Sequence, residues 1–121
     1  MPYGFNDDKS KFDLSDIEPI EDTGWNDTGY SGGGKYRMIG NIVEYRYEGN
    51  LNQYNTTTKI DEIPTGYRPT EQVISNVTSY DGTNWNIGRV RVQTNGQIYY
   101  VGGAVQNASG AVVIHALWFT D

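Results

Sequence analysis

Residues 88–103, "GRVRVQTNGQIYYVGG", decide the fold. Val90 and Val92 alternate with Arg89 and Arg91, the period of an extended strand, so the valines share one face and the arginines the other. Asn95-Gly96 is a tight-turn dipeptide, because glycine takes up positive φ freely and asparagine tolerates it. The chain then returns through Ile98 and Tyr100, two apart and on the valine side. A slip of one residue would bury the arginines and expose the valines, so alternation and turn together specify a hairpin with one buried face.

The same period runs outward from this hairpin. In "KYRMIGNIVEYRYEG", residues 35–49, Gly40-Asn41 separates two extended runs; Val43, Tyr45 and Tyr47 fall on one face, with Glu44, Arg46 and Glu48 on the other. "EQVISNVTSY", residues 71–80, is another strand. "AVVIHALWFTD", residues 111–121, is apolar on both sides, which suits a central strand or one covered by a second sheet or another subunit. Ten Tyr, three Trp and 15 Gly favour strands and turns over helices. These features predict an all-β chain: a small antiparallel β-sandwich or β-barrel head domain over 25–121, with its strands joined by short turns.

Residues 1–24 differ from this. "NDDKSKFDLSDIEPIED" is acidic and carries too few apolar side chains to order itself, so it reads as a short N-terminal arm or attachment segment. Ser15 or Asp16 can cap one helical turn there before Pro19 ends it. Trp25 and the glycine-rich "NDTGYSGGGKY" lead into the first clear strand, and an indole at that domain edge is placed to pack between subunits.

At 121 residues the chain suits one domain with a core that needs no staples. The absence of cysteine removes disulfides and thiolate metal sites. A net charge of −6 has the wrong sign for tracking nucleic-acid phosphates or anionic membranes, and no apolar run is long enough for a membrane span. The start, "MPYGFNDDKSK", lacks the basic and apolar regions of a signal peptide, so a soluble chain without a cleaved export signal is expected.

Catalytic chemistry finds little to build on. His115 is the sole histidine and sits mid-strand, where a satisfied or interface role suits it. Glu44, Glu48, Asp61, Glu62, Glu71 and Asp81 lie near aromatics, and a pair of them would serve a glycosidase, but on solvent faces of strands such carboxylates are ordinarily just hydrated. "SGGGK" lacks the remainder of a phosphate loop, and "YDGTN" offers too few oxygen ligands for calcium. The expectation is a non-catalytic protein without metal or cofactor.

Binding suits the residues better. Sugars offer an apolar face and a rim of hydroxyls, which an aromatic plane flanked by amides, carboxylates and Arg matches. "YDGTNWN", residues 80–86, supplies Tyr80, Asp81, Asn84, Trp85 and Asn86, with Arg89 on the strand that follows. Trp85 has two readings here: a sugar platform, or a core plug whose neighbours merely shape a turn. Trp118, on a strand apolar throughout, reads as core.

The succession "KYRMIGNIVEYRYEG", "IPTGYRP", "NWNIGRVRVQTNGQIYYVGG" and "VIHALWFTD" resembles the C-terminal head domains of siphophage tail-fibre and baseplate receptor-binding proteins from phages of Gram-positive bacteria. The "P-x-G-Y-R-P" element followed by "R-V-x-x-N-G-x-I" is its most specific part, and the resemblance covers residues 25–121. It implies a small β head that assembles as a homotrimer in the virion, at the tail tip or baseplate. Such a head is made in the host cytoplasm, contacts other tail and baseplate proteins, and binds a bacterial cell-wall polysaccharide. In lactococcal phage heads of this kind a Trp-Asn step leads into a strand carrying a polar ligand-contacting side chain; Trp85 and Asn86 match the step and Arg89 the strand position, where those heads carry a histidine. No stalk is present, so the arm would do the attaching. A three-fold axis would cover the apolar last strand through Val113, His115 and Leu117, or through their opposites Val112, Ile114 and Ala116. Two other functions fit the residues: an accessory structural tail protein that binds no sugar, and a polysaccharide depolymerase.

Overall fold

A computed structural model describes residues 20–50, 59–80, 83–103 and 111–121. The expected turn around Ser15 and Asp16 and the candidate ligand Asp81 lie outside the described residues. The chain is all-β, with no helix among the described residues and eight strands: β1 (Asn26–Asp27), β2 (Gly34–Ile39), β3 (Ile42–Asn50), β4 (Lys59–Glu62), β5 (Val73–Tyr80), β6 (Trp85–Val92), β7 (Gln97–Gly103) and β8 (Ala111–Phe119). They form one antiparallel sheet in the order β1-β2-β3-β8-β5-β6-β7-β4, curled into a half-barrel.

Local sequence accounts for the hairpins. Ile39 pairs with Ile42, leaving Gly40-Asn41 as a two-residue turn with Gly40 at φ 61°. Asn95-Gly96 turns the β6–β7 hairpin, with Gly96 at φ 88° and its N–H donated to Gln93 O. Val90, Val92, Ile98 and Tyr100 are fully buried inside the curl, as are Val43 and Tyr45, with Tyr47 nearly so.

The last strand lies in the middle of the sheet. β8 pairs with β3 from Ile42↔Phe119 to Asn50↔Ala111 and with β5 on its other side through Val77↔Ile114. Its inward residues Val112, Ile114, Ala116 and Trp118 are core, so the set containing Val112, Ile114 and Ala116 is covered by the chain itself. Trp118 donates its indole N–H to Tyr67 O at 2.7 Å, giving a buried donor the partner it requires.

The curl brings strands from opposite ends of the sheet order together. Asp61 on β4, fully buried, accepts from Tyr45 Oη on β3 (2.7 Å), from Thr28 Oγ1 just after β1 (2.7 Å) and from the Glu62 N–H (2.8 Å). Three donors compensate a carboxylate removed from water. Gly34 lies so close that a Cβ there would run into Asp61 Oδ2 and Ser31 Oγ.

The two halves of the most specific sequence element also meet. Ile63, at the head of "IPTGYRP", donates its N–H to Gly96 O at 2.8 Å, and Arg68 Nε donates to Ile63 O at 2.8 Å. Tyr67 packs against Tyr36 with ring centroids 4.7 Å apart and the rings tilted by 51°. The segment is a plug for one end of the curl, locked to the β6–β7 turn. Residues 20–24 run beside the end of β2, where Thr23 N donates to Met38 O and Gly40 N to Glu21 O.

Candidate functional site

Tyr80 closes β5 and Trp85 opens β6, and the two are directly paired across the hairpin. Their rings lie 5.0 Å apart at 45°, the tilted geometry aromatic pairs favour. Both project from the outer face: Tyr80 is 39% exposed and Trp85 68%. Trp85 is therefore no core plug. Thr83 and Asn84 are exposed in the loop between them.

The remaining candidates separate by strand alternation. Asn86 pairs with Ser79, a buried residue of the inner face, so its side chain leaves β6 on the side opposite Trp85. Arg89 is exposed on the Trp85 face but four residues further along, about 13 Å away at ordinary strand rise. Exposed Ile87 stands between them. Arg89 instead borders a shallow outer-face cavity of about 460 Å³ whose wall includes Asn76, Ile87, Gly88, Val101 and Gly102. A β-bulge makes that hollow: the register shifts between Arg89 and Val90, leaving Val101 as the extra residue on β7. The aromatic pair and the arginine-edged hollow are thus two ends of one strip on β5–β6–β7.

On β8, half-buried Val113 and exposed His115 and Leu117 alternate along the outer face. His115 Nε2 lies 2.7 Å from Glu44 Oε2, and Arg37 Nε donates to Glu44 Oε1 at 2.9 Å. The His115 hydrogen bond, aided by Arg37 and opposed by partial burial, holds the Glu44 carboxyl below its ordinary value. Leu117 is 58% exposed and Phe119 63%, with Ile42 and Ile74 exposed nearby on the flanking strands.

Sequence reasoning left two features out. Trp25 lies against two guanidinium groups, Arg37 at 4.8 Å and Arg46 at 5.8 Å, beside a second hollow of about 500 Å³ floored by Gly32 and Gly33. Alternation alone puts Arg37 and Arg46 outward, but which aromatic covers them is decided by the fold. The second feature is the hollow beside Arg89, bordered by Asn76 and Ile87. A signal for it exists: between Gln72 and Thr120, Asp81 is the only acidic residue of a chain that carries 15. No family model matches the chain and no curated protein matches it.

Proposed function

We propose that the chain is a non-catalytic binding head that holds a bacterial cell-wall saccharide on the outer face of β5 and β6, as a component of a phage tail tip or baseplate. The observation that carries the binding reading is the Tyr80–Trp85 pair, two adjacent aromatic rings turned to solvent at the mouth of a hairpin. Covering those rings with the apolar face of a sugar recovers on the order of 2 kcal/mol of burial. The virion setting rests on the resemblance of residues 25–121 to receptor-binding heads. Single-site affinity of this kind is weak, and three sites on a homotrimer, with several trimers on one particle, would raise it by avidity.

The test is sedimentation of labelled protein with cell walls of Gram-positive bacteria. Trp85→Ala is expected to reduce wall binding at least tenfold with only a small drop in Tm from the lost Tyr80 contact, because the indole is mostly solvated. Equal binding by the variant would remove the stacking site.

A second reading, an accessory structural protein of the tail, is favoured by the exposed Leu117 and Phe119 on the same face. It expects co-sedimentation with tail components and no saccharide effect on thermal stability.

A further inference from the structure

The charges on the outer face are unevenly distributed. Lys35, Arg37, Arg46, Lys59 and Arg68 each lie 2.6–3.8 Å from a carboxylate. Arg89 and Arg91 have no ion-pair partner among the described residues, and they are neighbours on one face of β6. Not one residue of β5, β6 or β7 is acidic, although the chain carries a net charge of −6. Two like charges side by side repel, and nothing on the flanking strands offsets that.

Arg91 adds an independent observation. It is paired with Ile74 on one side and Tyr99 on the other, and its Nε is buried without a hydrogen-bond partner among the described residues. A guanidinium presents a planar fork of donors that matches the oxygens of a carboxylate or phosphate, and an unmatched donor in such a fork is costly to keep from water. One strand step away, Arg89 edges the bulge-made hollow with the amide of Asn76 beside it.

We infer that Arg89 and Arg91 form a site for an oxyanion, a phosphate ester or a carboxylate, carried by the saccharide that stacks on Trp85. This rests on the saccharide reading above and deepens it by naming the substrate class. Trp85 and Arg89 are about 13 Å apart along the strand, more than the width of one sugar ring, so the ligand is an acidic oligosaccharide and not a single sugar. The basic strip also explains how an acidic protein engages an anionic polymer: the acids are gathered on other strands and in residues 1–71, with Asp81 and Asp121 the exceptions. Attraction of this kind acts within about a Debye length, roughly 10 Å at 0.1 M salt, and weakens as salt rises.

The test titrates the full chain with maltotetraose, with maltotetraose phosphorylated on one hydroxyl, and with a hyaluronan tetrasaccharide, following amide and Arg Nε–H signals by NMR. At low ionic strength at least one acidic oligosaccharide is expected to bind tenfold or more tightly than maltotetraose. It should shift Arg89, Arg91 and Gly102, and the preference should shrink with added salt. Which of the two acidic sugars binds distinguishes phosphate from carboxylate. In the doubly substituted Arg89→Gln, Arg91→Gln chain the preference for the acidic sugar should vanish while Tm persists. Equal affinity for neutral and acidic sugars, a preference that survives in the double variant, or no binding of either acidic sugar at millimolar concentration would each overturn the inference. So would tighter binding of single-stranded oligothymidylate at the same residues, which would make the strip a nucleic-acid surface. The two readings fail separately: loss of the acidic preference with maltotetraose still bound through Trp85 leaves the saccharide site standing. Acidic binding untouched by Trp85→Ala would remove the stacking site and keep the anion site.

Discussion

At the scale of single residues, Asp61 and Glu44 show how the same group does different work in different surroundings. Asp61 is buried and holds together β3, β4 and the segment after β1 through three accepted hydrogen bonds. Asp61→Ala removes the bonds that the Tyr45 and Thr28 hydroxyls donate to its carboxylate inside the curl. We expect a loss of about 2–4 kcal/mol in urea denaturation, against about 1 kcal/mol for Thr28→Val, where a single bond is lost. Glu44 lies at the surface, and its carboxyl is held below the ordinary value of 4.5, first by the His115 hydrogen bond. A carboxyl with a lowered folded-state value contributes stability that is complete above the unfolded value and lost as pH falls through the folded one. The stability difference between the wild type and Glu44→Gln should therefore be constant just above about pH 5 and shrink toward pH 3, read from Tm against pH. A difference that grows on acidification would refute the assignment.

At the scale of elements, the β6–β7 hairpin anchors the fold because its turn receives the "IPTGYRP" plug. Gly96 sits at φ 88°, and a Cβ there would run into Ile63 O and Arg68 Nε. Gly96→Ala combines backbone strain with a displaced plug, so we expect roughly 2 kcal/mol of destabilisation or more. Gly66, at φ 98° with open space around its Cα, carries only the backbone part, and Gly66→Ala should cost less. Similar losses at both positions, measured by denaturant unfolding, would show that the plug contact adds nothing. The hairpin itself was legible from Val90, Val92, Asn95-Gly96, Ile98 and Tyr100, because alternation and turn chemistry are local properties. The plug was not, since a proline-glycine segment reads as a turn whether it floats or docks.

At the scale of the molecule, the outer face carries two unlike regions. The strip on β5–β7 is aromatic and basic, whereas the end of β8 with Ile42 and Ile74 is apolar and contains Leu117 and Phe119. If a homotrimer covers the second region, the axis takes Leu117 with Val113 and His115, since the inward residues of β8 already fill the chain's own core. Light scattering at micromolar concentration is expected to give three times the chain mass for the wild type and a single chain mass for Leu117→Glu. A monomeric wild type would remove the trimer and leave that face free for a different partner.

The sequence by itself determined the all-β class, two of the hairpins and the buried side of β3, β6 and β7. Each of these follows from a period of two and from turn residues a few positions apart. Only the tertiary structure decided that β8 lies between β3 and β5, that Asp61 reaches Thr28 and Tyr45, and that Trp85 stands in solvent beside Tyr80. It also decided that Arg89 borders a hollow made by the β7 bulge, beside Asn76 of β5. The reason is physical. Local patterning states which way a side chain points, but what it meets there depends on which distant strand the curled sheet lays beside it.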